Sequence, residues 1–166
     1  MNAGVGSLKT SETERVRCMK SSDKPIVVEE TFRATPESVW RAITEADHMR
    51  AWFFESIPDF KPVVGFRVEF DVDSGGRRFP HMWRVTRVVP GELIELNWRY
   101  GGYPGDSYVT FELIRGGDST RLKLTHVVKE DFPDDVPEFK RESCVAGWRY
   151  FINQRLNQYL ASTVSD

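Results

Sequence analysis

The chain has 166 residues, with 23 Lys and Arg against 25 Asp and Glu, so its formal net charge is −2 with neutral histidines. This length suits one domain, and a hydrophobic fraction of 40% excludes a fibrous or wholly disordered chain. A charge so close to zero provides no basic face for a phosphate backbone, so we expect no nucleic-acid partner. Aromatic residues reach 13%, which predicts either a bulky core or a cavity walled by rings.

The N-terminal residues 1–24 are mostly polar and lack the apolar stretch of a signal peptide. No apolar run approaches the ~18 residues of a membrane helix. We therefore expect a cytoplasmic protein without membrane insertion, in which a flexible polar arm (1–24) precedes one domain (25–162). The histidines and the two cysteines, Cys18 and Cys144, show no metal-ligand spacing, so no metal or cofactor is expected. We expect both cysteines to be free thiols, with a Cys18–Cys144 disulfide as the alternative.

The domain is predicted to open with a strand and two short helices. Ile26–Phe32 is rich in β-branched and aromatic residues, which favours a strand. Thr35 can cap a helix whose first residue is Pro36, because the missing N–H of proline is not needed there. A second short helix is predicted over Ala46–Trp52, and it ends in an aromatic run that continues to residue 54.

Further strands are predicted where apolar and polar residues alternate between Gly-rich turns. The alternating segments lie around residues 66–71, 78–89, 94–100, 108–113 and 122–126. Consecutive strands joined by short turns indicate an antiparallel meander with one face turned inward.

A long C-terminal helix is predicted from about Pro137 to Leu160, and it would pack on the inward face of the meander. Its apolar residues recur every three or four positions: Val145, Trp148, Ile152, Leu156 and Tyr159. The acidic residues 130–138 precede this helix. They either complement the helix dipole or form a lid in which Phe132 and Phe139 make the apolar contacts.

This order of elements resembles the START-like (SRPBCC) helix-grip superfamily, and most closely its heat-shock protein 90 ATPase activator-like branch. The resemblance covers about Pro25 to Leu160. It rests on residues 34–40 with Trp52-Phe53, residues 85–90 with Trp98, residues 109–113, residues 120–126, and Gly147-Trp148 with Leu156.

The resemblance implies an α+β fold in which a curved antiparallel sheet wraps around the long C-terminal helix and leaves a pocket between them. In the superfamily such a pocket commonly takes a small apolar or amphipathic molecule. Some relatives are enzymes, and one branch docks on the chaperone and speeds its ATPase, which implies a role in stress response.

The inward face predicts a sheet–helix compartment, which is either a filled core or a ligand cavity. Periodicity does not distinguish the two, but a void of about 300 Å³, the low end for ligand sites, would. The predicted lining consists of Phe66, Phe70, Trp98, Tyr100, Phe111, Leu124, Trp148 and Ile152.

Two polar residues are candidates for the same compartment. His126 continues the inward phase of Leu124, so its imidazole is a structural hydrogen-bond partner, a ligand contact or a general acid/base. Arg84 either faces solvent or points inward, where its guanidinium would bind a ligand carboxylate.

We therefore expect a binding protein for a small hydrophobic molecule, such as a lipid or aromatic carrier or sensor, rather than an enzyme. One alternative is a chaperone-activator-like or regulatory protein that acts on a protein partner through its surface. The other is an enzyme on an aromatic or polyketide-like substrate, with His126 as its catalytic group. A monomer and a homodimer are both compatible with the sequence.

Overall fold

The computed structural model describes residues 19–164, without the side chain of Val164. The chain has the predicted α+β helix-grip fold, in which a curved six-stranded antiparallel sheet packs against a long C-terminal helix. The elements before that helix are β1 (Ile26–Phe32), α1 (Pro36–Thr44), α2 (Ala46–Trp52), β2 (Arg67–Ser74), β3 (Arg77–Val89), β4 (Leu93–Tyr100), β5 (Asp106–Arg115) and β6 (Thr120–Glu130).

The strand order in the sheet is β1-β6-β5-β4-β3-β2. Strands β2 to β6 form the predicted meander, and β1 closes the other edge by pairing with β6, where Ile26 lies opposite His126. Strands β3 and β4 pair so that Trp83 lies opposite Trp98. Because both indoles are buried, they belong to the inner face of the sheet, which the helix covers.

The cap predicted for α1 is confirmed. The backbone N–H of Ser38 donates to Oγ1 of Thr35 over 3.1 Å, and Pro36 occupies the first helical turn. Helix α2 is held to α1 because the buried indole of Trp52 donates to the carbonyl of Ala42 over 2.7 Å. The two helices thereby fix the direction in which the following aromatic residues leave α2.

The C-terminal helix begins later than predicted. Pro137–Phe139 forms a separate 3-10 turn, and the helix proper begins with α3 (Arg141–Arg149). The carbonyl of Phe139 accepts a hydrogen bond from the backbone N–H of Met19 over 3.1 Å, and Lys140 is extended. This pairing holds the segment before the helix in a non-helical path.

Beyond α3 the helix continues through π-helical turns, Tyr150–Leu156, into α4 (Asn157–Val164). The buried residues of this stretch recur every four positions: Trp148, Ile152, Leu156 and Leu160. A repeat of four residues is longer than the 3.6 residues of an α turn, and the wider π turns in the middle of the helix help to keep these side chains on one side. The predicted apolar face is thus present, with Val145 and Tyr159 only half-buried.

Part of the predicted arm lies within the described residues, while residues 1–18, including Cys18, lie outside them. Met19 is buried, and its carbonyl accepts from the backbone N–H of Phe132 over 3.1 Å. Nζ of Lys20 lies 2.8 Å from Oδ1 of Asp134. The end of the arm therefore packs against the acidic segment before the helix. No helix within residues 19–164 is long and apolar enough to cross a membrane.

Candidate functional site

A cavity of about 110 Å³ lies between the inner face of the sheet and helix α3. The strands contribute His81, Trp98, Tyr100 and His126; the helix contributes Cys144, Gly147, Trp148 and Phe151; and the intervening segments contribute Met19, Phe53, Phe54 and Glu138. The volume is below the roughly 300 Å³ at which sites for drug-sized ligands begin. The compartment is therefore mostly filled, with a small void.

Aromatic rings form most of the cavity wall, and Phe53 is at their centre. Its ring centroid lies 4.9 Å from that of Phe151, 5.9 Å from that of Trp148 and 6.2 Å from that of Trp98. Edge-to-face and tilted arrangements of this kind are favourable for aromatic rings. Phe53 directly follows α2, so the packing of that helix sets one wall of the cavity.

His126 is buried and held by the helix. Nε1 of Trp148 donates to Nδ1 of His126 over 3.1 Å, and Sγ of Cys144 lies 3.6 Å from the same nitrogen. Because an indole N–H only donates, Nδ1 is an acceptor and the proton of the neutral imidazole is on Nε2. Nε2 is buried and has no hydrogen-bond partner among the described residues.

Burial, together with a smaller effect of the positive charge of Arg141, lowers the pKa of His126 to about 4. The imidazole is therefore uncharged at neutral pH. A general base works best when its pKa lies near the operating pH, so His126 is a weak base here. Its remaining capability is donation of a hydrogen bond through Nε2.

His81 is a second buried imidazole at the same cavity. Its Nδ1 lies 2.9 Å from the carbonyl oxygen of Phe79, so Nδ1 donates and Nε2 keeps a lone pair. Burial lowers the pKa of His81 to about 4, against smaller opposing effects of the Phe79 hydrogen bond and the Asp71 charge. The ring of Tyr100 lies 4.9 Å from that of His81.

Two buried indole N–H groups, those of Trp83 and Trp98, have no hydrogen-bond partner among the described residues. Of these, Trp98 lines the cavity and Trp83 does not. Burial, with a smaller effect of Cys144, raises the pKa of Tyr100 above its ordinary value, and the neighbouring Trp98 indole acts in the opposite direction. Burial also raises the pKa of the Cys144 thiol to about 12.

The structure brings together at the cavity only some of the residues that the sequence predicts for the site. Trp98, Tyr100, His126 and Trp148 line the cavity. Four others are buried in the surrounding core: Phe70, Phe111, Leu124 and Ile152. Phe66 precedes β2, is half-buried, and packs its ring 6.0 Å from that of Phe60.

Arg84 does not lie in the compartment. The buried residues of β3 include Trp83 and Val85, which flank Arg84, so the alternation of the strand puts Arg84 on the outer face. There it lines a separate groove of about 360 Å³ with Arg67 and Arg99. The inward carboxylate clamp considered from the sequence is therefore excluded by the phase of β3.

Several cavity residues escaped the sequence analysis. His81 shares the inward phase of Trp83, but both phases of β3 mix polar and apolar residues, so the pattern does not identify it. The aromatic run after α2 was visible, although nothing in it indicated that Phe53 and Phe54 contact the cavity. Met19 carried no signal, because it lies in a polar segment.

Within residues 19–164, no group of His, Cys, Asp and Glu side chains has the arrangement of a metal site. Apart from the carboxylate of Glu138, the polar groups at the cavity are the imidazoles, indoles, phenol and thiol of His81, His126, Trp98, Trp148, Tyr100 and Cys144. The arrangement can surround an apolar group, and within the described residues it provides no metal-binding cluster.

Known structures share the fold. Protein MLL2253 from Mesorhizobium loti is 26% identical, with a TM-score of 0.69 over 84% of this chain and 98% of that one. Protein CV1439 from Chromobacterium violaceum is 23% identical, with a TM-score of 0.66 over 82% and 96%. The Aha1 dimer from Colwellia psychrerythraea is 20% identical, with a TM-score of 0.62 over 83% and 96%.

No curated protein matches the chain at a significant level. The family model described as "Activator of Hsp90 ATPase homolog 1-like protein" matches residues 33–161, which include every strand except β1 and nearly all of the C-terminal helix. With the helix-grip fold and the matched motifs in place, the chain belongs to the activator of Hsp90 ATPase homolog 1-like family.

Proposed function

We propose that this domain binds a small, mostly apolar molecule in the cavity between the sheet and helix α3. The observation that carries the proposal is the cavity itself, a void of about 110 Å³ walled by aromatic rings. Close packing leaves few voids larger than a water molecule in protein interiors. The cavity is smaller than a site for a drug-sized ligand, so the proposal is restricted to a small ligand or to one apolar group of a larger one, and its support is the aromatic wall.

The volume limits the ligand. An engineered cavity of about 150 Å³ takes up benzene, so a void of 110 Å³ fits a group of at most about one ring. Cys144, Gly147 and Phe151 are partly exposed, which makes helix α3 and the start of the π turns the side from which a ligand would enter. A larger ligand would extend along this side or displace the segment around Phe132.

Thermal-shift measurements test the proposal with a panel that ranges from benzene and toluene to a fatty acid, a flavonoid and a sterol. A ligand that binds only the folded state raises the melting temperature in proportion to RT ln(1 + [L]/Kd). We expect the one-ring members to raise it and the sterol to have no effect. A panel without any stabilising member would overturn the proposal.

A matched pair of variants tests where the panel members bind. Gly147 lines the cavity, and a Cβ atom built there meets no atom within 4 Å, so Gly147→Leu has room to occupy the entry side. Ala146 is exposed on the same helix and does not line the cavity. We expect Gly147→Leu to abolish the thermal shift and Ala146→Leu to preserve it; equal shifts in both variants would place the ligand elsewhere.

The enzyme alternative has less support in the geometry. A catalytic histidine needs a pKa near the operating pH and a group that orients its ring. Nδ1 of His126 accepts from Trp148, where a catalytic pair would have a carboxylate, and its pKa is about 4. Glu138 lines the same cavity, but it interacts with Ser74 and Arg77.

Action through the surface is the other alternative, and it includes a chaperone partner or a second copy of the chain. The large apolar side chains that are exposed among the described residues are Val27, Val63, Val64 and Tyr150. The cavity wall, by contrast, consists of aromatic rings that converge from the sheet and the helix, so we place ligand binding first. Sedimentation of the full chain, alone and with a chaperone, tests the surface alternative directly.

A further inference from the structure

We propose that the groove on the outer face of the sheet binds the phosphate group of a small phosphate monoester. The groove has a volume of about 360 Å³ and is lined by residues of strands β2, β3 and β4. Its charged lining residues are Arg67, Arg84, Arg99 and Glu69. The proposal goes beyond ligand binding in the cavity and does not depend on it, because the two sites share no lining residue.

The strand register brings the three guanidinium groups together. Arg67 on β2 lies directly opposite Arg84 on β3, and Arg84 lies opposite Asn97 on β4. Arg99 is two residues beyond Asn97, so it is a diagonal neighbour of Arg84 on the same face of the sheet. Opposite residues have Cβ atoms about 5 Å apart and diagonal ones about 7–8 Å, which is within reach of long side chains. All three arginines can therefore contact one bound group.

Two of these cations have no counter-ion within residues 19–164. The side chains of Arg67 and Arg84 make no ion pair or hydrogen bond there, although Glu69 lines the same groove. Arg99 has a partner, since its Nε lies 3.7 Å from Oδ1 of Asp106. Like charges that lie directly opposite each other in a sheet are destabilising. A bound anion would remove this repulsion, which favours a binding role for the arginines over a structural one.

The charge of the groove favours a dianion. The three guanidinium groups, less the one carboxylate of Glu69, leave the lining residues with a formal charge of +2. A phosphate monoester carries a charge of about −1.5 to −2 at pH 7 and three strong acceptor oxygens. Guanidinium groups match pairs of phosphate oxygens with two parallel N–H donors each. A carboxylate would supply only one negative charge and two oxygens.

The size of the groove leaves room for an organic part of the ligand. Because a cavity of about 150 Å³ holds one benzene ring, a groove of about 360 Å³ accommodates a phosphate group together with one ring. Met82 lines the groove and is half-buried, and its thioether is a favourable contact for an aromatic ring. Phenyl phosphate therefore contains both expected features and is a suitable probe.

The test compares phenyl phosphate with benzenesulfonate by calorimetric titration of the full chain. Both probes combine a phenyl ring with a tetrahedral anionic group, but the sulfonate has a single negative charge. We expect phenyl phosphate to bind roughly fivefold more tightly, the upper range for one additional exposed ion pair. Added salt should weaken its binding, because exposed charges are screened.

Two variants locate the binding site. Arg84→Gln and Arg87→Gln each remove one positive charge from β3, but Arg87 is exposed and does not line the groove. We expect Arg84→Gln to weaken phenyl phosphate binding roughly tenfold, as the loss of a hydrogen bond to a charged group implies, and Arg87→Gln to change it by less than about twofold. In a nitrogen–proton correlation spectrum, phenyl phosphate should shift the amide resonances of β2, β3 and β4 around the groove.

Each part of the proposal has an outcome that would overturn it. Equal weakening in both variants would overturn the site, and equal affinity for benzenesulfonate and phenyl phosphate would overturn the preference for a dianion. Inorganic phosphate that binds as tightly as phenyl phosphate would overturn the organic part of the ligand. A phosphotyrosine peptide that binds more tightly would overturn the assignment to a small molecule. Absence of binding by every probe would overturn the anion site and leave the function proposed for the cavity unaffected.

Discussion

The indole of Trp148 donates to Nδ1 of His126 over 3.1 Å, and this contact joins helix α3 to strand β6 inside the core. It selects the tautomer of His126 in which the ring proton is on Nε2. The same contact also ties the helix to the sheet at the wall of the cavity. One hydrogen bond therefore sets both the packing of the helix and the polarity of the site.

Replacement of Trp148 by Phe should lower the free energy of unfolding by more than replacement of Trp83 by Phe. Both changes remove the same atoms from a buried indole, but only Trp148 loses a hydrogen bond. The difference should be about 1–2 kcal/mol, the cost of leaving a buried acceptor unsatisfied. Urea unfolding of the two variants measures it, and equal losses would contradict the contact.

Gly105→Ala should be strongly destabilising. A Cβ at Gly105 would clash with the ring of Phe132, and the residue has a φ of +122°. The ring of Phe132 is buried against Tyr100 and Phe139, so it has little room to retreat. We expect a loss of about 2–4 kcal/mol in the free energy of unfolding.

Gly117→Ala is the matched control for that substitution, because an added Cβ at Gly117 meets no atom within 4 Å. Its effect should stay within about 0.5 kcal/mol. A Gly105→Ala variant as stable as Gly117→Ala would show that Phe132 moves freely, and the segment before the helix would then be a loose cover rather than a packed one.

The elements of this fold were largely predictable, because their signals are local. Alternation in the strands and the Thr35–Pro36 cap specify structure within a few residues. The start of the C-terminal helix was not predictable, because Phe139 is held by a backbone hydrogen bond from Met19, and these two residues are far apart in the sequence. Periodicity describes which face is buried and says nothing about such distant pairings.

The candidate site was only partly predictable for the same reason. The inward phases of β4 and β6 identify Trp98, Tyr100 and His126, whereas β3 carries polar residues in both phases and hides His81. The sequence also does not reveal how much of a compartment is filled. That depends on how rings from distant elements interlock, as Phe53 does with Trp98, Trp148 and Phe151.

The stability of the protein should fall as the pH drops from about 6.5 towards 4. Burial lowers the pKa of both His81 and His126 to about 4 in the folded state, whereas an unfolded histidine has a pKa of about 6.5. In this window the unfolded state binds more protons, so the free energy of unfolding rises with pH. The free energy of unfolding that depends on keeping these two histidines neutral is fully present above about pH 6.5 and is lost as the pH falls towards 4.

His81→Phe should reduce this slope by about 1 kcal/mol per pH unit between pH 5 and pH 6, because one titrating group disappears. The aromatic rings around His81 make Phe a fitting replacement. Urea unfolding at several pH values measures the slope. The same series at pH 7.5 to 8.5 is the control, because there the free energy of unfolding should depend on pH equally in the wild type and the variant. An unchanged slope at acid pH would mean that His81 is protonated in the folded state.

Cys144 should react slowly with alkylating reagents, because burial raises the pKa of its thiol to about 12 and only the thiolate is nucleophilic. In a Cys18→Ser background, Cys144 is the only cysteine. Iodoacetamide at pH 8 should modify it at least about 100-fold more slowly in the folded protein than in urea, where the pKa returns to about 8.5. Cys144 lines the cavity, so a bound ligand should slow the reaction further. Equally rapid modification in the folded protein and in urea would contradict the prediction and show that the cavity is open to solvent at helix α3.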